Sequence, residues 1–273
     1  MQLTTTKTQL LMRNIITIIA LAFGLTAVAQ GLMPEMRPML ALDHEVKIRP
    51  LTTMQLKYDG GYSDFYTDER CTYVYEKGSQ NSTKPEALLD KVFKIVSIKD
   101  KGDKYYILKL EGNGTTIYYN YKSGMPAQFD VLNLTLPEDY YCDFVTQENI
   151  AATKGREYWA KESLYWVSKR IENGMISYGM ILEISVDEPN AGSGVTLTLE
   201  NGAKIEKPKA PVKIDSVRVT PKYTAIIIFT ANEVKLLEEN RITNFRINNH
   251  EYTMYRTESA NLKGIMGCLA KKN

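Results

Sequence analysis

The chain has 273 residues, of which 44% are hydrophobic and 24% charged, with three cysteines. Those values exclude a disordered chain, a collagen-like repeat and a disulfide-dense miniprotein. The 34 basic and 32 acidic residues nearly cancel, so the overall charge does not favour nucleic acid or an anionic membrane as a partner.

Residues 1–14 are polar and carry Lys7 and Arg13, and Ile15 to Val28 are almost wholly apolar. Ala27-Val28-Ala29 follows, then Gln30. A basic flank, a short apolar run and a small-x-small site form the pattern of a secretory signal peptide, residues 1–29. The run is shorter than the roughly 20 apolar residues of a spanning helix. An uncleaved anchor is the alternative. No cysteine stands at the cleavage point to carry the lipid of a bacterial lipoprotein. Cleavage after Ala29 removes both bases and no acid, which leaves a balanced, exported chain, periplasmic or extracellular. No later stretch reaches spanning length, so the mature chain is expected to have no transmembrane span.

Residues 30–45 show no period and contain Pro34 and Pro38, which reads as an extended leader. A β-rich module is expected over 46–147. Lys91–Lys99 and Lys104–Leu110 are rich in β-branched and aromatic residues. Asn113-Gly114 is a hairpin signal, and Thr115–Tyr121 is the returning strand. Its alternation sets Ile117, Tyr119 and Tyr121 on one face. Residues 148–177 hold Trp159 and Trp166, the only tryptophans, and connect this module to the next, either as a linker or as another strand pair.

A second β-rich module is expected over 178–273. Met180–Val186 is a strand, 187–193 a loop, and Val195–Leu199 leads through Asn201-Gly202 to Ile205. The two Asn-Gly turns, each followed by x-x-Ile, form a weak repeat, explained by duplicated β modules or by two ordinary hairpins. Lys213–Val219 and Tyr223–Phe229 are further strands. The second has five consecutive apolar residues, Ala225 to Phe229, which predicts a central strand covered on both faces. Thr230-x-x-Glu233 is a capping box opening a short helix at 231–239, with Val234 and Leu237 as its apolar stripe. Ile242–Ile247 returns as a strand, and 258–270 predicts a C-terminal helix. The fold class is therefore mainly β with a few short helices, in two sandwich- or roll-type modules.

The runs 194–205, Lys213-Ile214-Asp215 and 229–247, closing on Ile242-Thr243-Asn244-Phe245-Arg246, resemble a group of secreted bacterial proteins of unknown function. Tyr140-Tyr141-Cys142-Asp143 is similar to theirs as well. The resemblance covers residues 178–256 and implies an exported, envelope-associated protein of bacterial origin. It carries no activity, so no residue inherits a catalytic role.

The oxidising compartment permits a disulfide. Cys71 and Cys142 fall in the first half and are the expected pair, with Cys268 left over. Separate buried thiols are the alternative. No CxxC occurs, and the two histidines, His44 and His250, are too few and too scattered for a metal site. No GxSxG, P-loop or GxGxxG appears, so neither a catalytic centre nor a cofactor is expected. Asp59, Asp64 and Asp68 lack EF-hand spacing and read as a solvated loop, with calcium binding as the alternative.

Eighteen tyrosines stand against seven phenylalanines. Tyrosine suits half-wet surfaces, where the ring stacks and the hydroxyl hydrogen-bonds. Tyr58, Tyr62, Tyr66, Tyr119 and Tyr121 are accordingly the candidate ligand-binding residues, with ordinary cross-strand pairing as the competing reading. The expected function is an exported, non-catalytic binding or structural protein of the bacterial envelope, its partner a protein, peptide or saccharide. The alternative is a carboxylate-dependent hydrolase acting on envelope polymers or glycans, which would need two acids in one cleft.

Overall fold

The structure is a computed structural model that describes residues 30–186, 193–215 and 221–273. The segment 1–29, most of the loop 187–193 and the end of the expected strand 213–219 lie outside the described residues. The chain is mainly β with a few short helices, as its periodicity predicts. It divides into one unit ending at Leu136 and a second beginning at Pro137.

The first unit is built on one antiparallel sheet of β1 (Gln30–Gly31), β2 (Glu45–Ile48), β3 (Phe65–Tyr66), β4 (Val92–Gly102), β5 (Tyr105–Gly112), β6 (Thr115–Lys122) and β7 (Phe129–Leu132). The strand order is β1-β7-β2-β4-β5-β6-β3. Asn113 and Gly114 both take left-handed backbone angles, φ 54° and 71°, and so turn β5 tightly into β6. Alternation on β6 buries Ile117, Tyr119 and Tyr121 in the core with Phe65, Phe93, Leu108 and Phe129. Helix α1 (Thr53–Asp59) opens on a capping box between Thr52 and Gln55 and ends at Gly60. A single turn, α2 (Pro85–Leu88), precedes β4.

Residues 30–45 are not a leader outside the fold. β1 pairs with β7, and Met33 and Ala41 are buried in the unit's core. Pro34 and Pro38 interrupt any periodic pattern, yet a 3-10 turn at Pro38–Ala41 still carries the chain into the sheet.

The second unit contains two sheets. The larger holds β8 (Thr146–Ile150), β9 (Gly155–Lys161), β10 (Tyr165–Glu172), β11 (Met175–Ser185), β14 (Val212–Asp215) and β15 (Lys222–Phe229). The smaller holds β12 (Val195–Leu199), β13 (Lys204–Lys207), β16 (Ile242–Ile247) and β17 (His250–Thr253). Their orders are β14-β15-β11-β10-β9-β8 and β13-β12-β16-β17. One apolar core joins both sheets to α3 (Ala231–Glu239) and α4 (Arg256–Lys271).

Of the two readings of the connecting segment 148–177, the structure has strands rather than a linker: it is part of the larger sheet, supplying most of β8, all of β9 and β10, and the start of β11. Tyr158 and Ala160 point into the core, while Trp159 and Trp166 pair on the outer face with ring centroids 5.2 Å apart. Large rings on both faces hide the alternation from a hydrophobicity reading.

β15 is a central strand, flanked by β14 and β11, but it is not covered on both faces. Ile227 is 1% exposed and Ile228 is 63% exposed. The smaller sheet and α3 both contribute to the core on the Ile227 side, so the other face is left to solvent. Thr230 caps α3 through the predicted box: its hydroxyl accepts from the Glu233 amide, and the Glu233 carboxylate accepts from the Thr230 amide.

The disulfide also differs from expectation. Cys142 bonds Cys268, with Cα atoms 5.4 Å apart, and Cys71 is a half-buried free thiol. The unit boundary falls before Cys142, so Cys142 belongs with the C-terminal helix and Cys71 does not. A 3-10 helix, Tyr140–Phe144, carries Cys142 onto α4. The helix end is fixed too: buried Lys169 donates its ammonium to the carbonyls of Ala270, at 3.1 Å, and Lys272. A cation at the carbonyl end of a helix also offsets the negative end of the helix dipole.

Candidate functional site

The site arises where a short strand stops. β3 pairs with β6 only at Phe65↔Tyr119 and Tyr66↔Tyr118. The Asn120 amide still donates to the Asp64 carbonyl at 2.9 Å. Asp64 then takes φ 65°, which turns the chain away from β6. Two glycines bring α1 close to this point. Gly60 ends the helix at φ 69°, and a Cβ on Gly61 would lie 2.1 Å from the Thr83 carbonyl oxygen. The uncovered end of β6, the N-terminal turn of α1 and the β6–β7 loop thus enclose a cleft of about 360 Å³.

The cleft wall combines Ser63, Asp64, Tyr105, Asn120, Lys122 and Gln128 with parts of Tyr119 and Tyr121. Gln128 organises one side: its backbone amide donates to the Tyr119 hydroxyl at 3.4 Å, and its Nε2 donates to Ser63 Oγ at 3.1 Å. Its Oε1 is enclosed without a hydrogen-bond partner among the described residues. The Lys122 ammonium sits over the Tyr105 ring, 5.3 Å from its centroid. That contact holds a half-exposed aromatic face at the mouth.

Desolvation raises the Asp64 carboxyl above the usual range; a hydrogen bond from Ser63 opposes this and the charge of Asp59 adds to it. Desolvation also raises the Tyr119 hydroxyl, with Asp64 adding to the effect, so it stays protonated at neutral pH. The cleft therefore offers one carboxylate, amide and hydroxyl groups, and an aromatic edge. That set suits recognition of a hydrogen-bonding ligand.

Of the five candidate tyrosines, Tyr119 and Tyr121 line the cleft, but their rings belong to the core: Tyr119 packs 4.7 Å from Phe65 and 5.1 Å from Phe129, centroid to centroid. Tyr62 is buried and donates its hydroxyl to the Arg49 carbonyl at 2.8 Å. Tyr58 is exposed on α1, and Tyr66 pairs with Tyr118 on β3; neither lines the cleft. Asn120, Lys122 and Gln128 were not singled out by sequence. The alternation of β6 places Asn120 and Lys122 opposite the tyrosines, which is a usable signal. Gln128 reaches Ser63 only through tertiary folding.

The acidic loop has a structural role at Asp68, whose carboxylate accepts from the Arg70, Thr72 and Tyr73 amides. Among the described residues no group of three or more His, Cys, Asp or Glu could hold a metal ion. His44 Nδ1 meets the Leu42 carbonyl at 3.0 Å, and the His250 ring packs 5.3 Å from Tyr223. No described helix is long and apolar enough to cross a membrane. Comparison with protein-family models, curated proteins and solved structures gives no match.

Proposed function

We propose that this chain is an exported, non-catalytic binding protein of the bacterial envelope, and that the cleft beside β6 is its ligand site. The observation that carries the reading is the cleft's wall: Asp64, Asn120, Gln128 and Tyr105 converge on one concave space of about 360 Å³. Ligand sites commonly have volumes of about 300–1,000 Å³ and a few convergent polar groups. Export is supported by the basic-apolar-small leading segment and by the resemblance of residues 178–256 to secreted bacterial proteins. The ligand class is a protein, peptide or saccharide of the envelope.

The hydrolase alternative requires two carboxyl groups flanking one bond. Asp64 is the single carboxylate among the lining residues; Asp59 acts on it through charge but does not line the cleft. Binding is therefore favoured over hydrolysis.

The test is a two-dimensional NMR titration of the ¹⁵N-labelled chain 30–273 with soluble peptidoglycan fragments, envelope oligosaccharides and peptides. The expected result is a saturable shift of the Asn120, Lys122 and Gln128 amides with the additive recovered intact. Shifts confined to residues after Pro137, or cleavage of the additive, would overturn the reading.

A further inference from the structure

The backbone around the cleft has a direction as well as a shape. In an antiparallel ladder, successive residues turn their N–H and C=O groups to opposite sides of the strand. The Ser123 amide donates to the Lys104 carbonyl at 2.8 Å, on the β5 side. The Asn120 amide donates to the Asp64 carbonyl, on the β3 side. Lys122 has the same parity as Asn120, so its N–H points to the β3 side, and so does the Asn120 C=O. Among the described residues no strand lies there, because β3 pairs no further than Tyr119 and Asp64 turns away. Both residues line the cleft.

An acceptor and a donor that flank one intervening residue on the same strand edge present the spacing at which antiparallel strands exchange hydrogen bonds. A second extended backbone matches that spacing. The side-chain charges add a second criterion. The Lys122 ammonium rests over Tyr105, and among the described residues Asp64 makes no ion pair. Asp64 is thus an unneutralised acid at the end of the open edge.

We infer that the cleft takes an extended peptide, added as a strand to the edge of β6 at Asn120 and Lys122, with a basic side chain of the peptide set against Asp64. This rests on the cleft being the ligand site proposed above. Backbone pairing supplies the attachment, and Asp64 supplies the preference for a cationic residue.

Fluorescence anisotropy with the chain 30–273 tests it. The probes are a fluorescein-labelled nonapeptide alternating threonine and lysine, its copy N-methylated at alternate amides, a copy with norleucine for lysine, and labelled chitotetraose. The expected result is binding of the first peptide and a loss of about tenfold or more on N-methylation, which removes backbone donors without touching the protein. Asp64→Asn, which keeps the left-handed backbone accessible, should weaken the lysine peptide about tenfold and leave the norleucine peptide unchanged. Lys122→Pro removes the edge N–H at a position where proline is tolerated, and should weaken both peptides with an unchanged melting temperature. Equal binding of the N-methylated peptide, or indifference to Asp64→Asn, overturns the inference. Chitotetraose binding that shifts Asn120 and Gln128 without any peptide binding overturns it too, while the cleft remains the ligand site. Failure of every probe overturns both.

Discussion

Gly264 on α4 lies flush against the ring of Tyr141: a Cβ at this position would fall 2.1 Å from the ring's Cδ2. One turn further along the helix, Cys268 bonds Cys142. Residues four apart share a helix face, so one stripe of α4 receives both the ring and the sulfur of the same 3-10 helix. The Tyr140-Tyr141-Cys142-Asp143 motif is therefore an anchor for the C-terminal helix.

Gly264→Ala should destabilise the second unit by about 1–3 kcal/mol, since the ring is packed and must shift. Gly267→Ala is the matched control. A Cβ there meets nothing within 4 Å, so removing a helix glycine should stabilise by about 0.5–1 kcal/mol. Thermal melts of the two variants should move in opposite directions. Equal shifts would deny the contact with Tyr141.

Non-reducing peptide mapping should recover the Cys142–Cys268 link and a free Cys71. Replacing both bonded cysteines by serine should cost about 2–5 kcal/mol, because a long loop of the unfolded chain is released. Burial pushes the Cys71 thiol up to about 11, with Asp68 adding to the effect. Only the thiolate alkylates readily. Cys71 should thus react slowly with iodoacetamide at pH 7.5, and faster as the pH approaches that value.

Much of the fold was legible in the sequence, and the exceptions have physical causes. The Asn-Gly hairpin, the Thr230 box and the 231–239 helix are local: dihedral preference and capping chemistry sit within a few residues of one another. The disulfide is not local, since its partners stand 126 positions apart in the chain. The expected module 46–147 groups Cys142 with Cys71, whereas the boundary at Pro137 puts it with Cys268. The cleft was half legible. Tyr119 and Tyr121 stood out by composition, but the edge that makes the cleft depends on where β3 stops, and a two-residue strand has no periodic signal.

β15 separates composition from burial. Ile227 and Ile228 are adjacent and chemically identical, yet they are 1% and 63% exposed. Ile227→Asp should cost several kcal/mol in urea unfolding, as an unpaired charge enters the core. Ile228→Asp should stay within about 0.5 kcal/mol of the parent, as surface changes usually do. Comparable losses in the two variants would mean that both faces are covered.

If the chain is exported as proposed, N-terminal sequencing of the mature protein should begin at Gln30, because Ala27-x-Ala29 follows a short apolar run. An intact Met1 terminus in the membrane fraction would favour the uncleaved anchor instead.

The second unit should respond to pH through two glutamates of opposite sign. At Glu233, partial burial opposes ionisation, but hydrogen bonds from Lys207 and Thr230 outweigh it and hold the carboxyl below the usual range. A depressed acid contributes stability that is present above its unfolded value, about 4.3. That stability is lost as the pH falls through the folded value. At Glu258, desolvation is the larger effect and raises the carboxyl, against a hydrogen bond from the Tyr255 amide at 3.0 Å. A raised acid detracts from stability above its folded value, and the deficit disappears as the pH falls below the unfolded one. Glu233→Gln should therefore lower the melting temperature at pH 7, and Glu258→Gln, which keeps an oxygen for Tyr255, should raise it. Both differences should shrink towards pH 3, where the parent carboxyls are protonated in the unfolded chain. Melts of the three proteins at pH 7, 5 and 3 decide it. A Glu258→Gln variant less stable than the parent at pH 7 would mean that the Tyr255 hydrogen bond outweighs the burial of the charge.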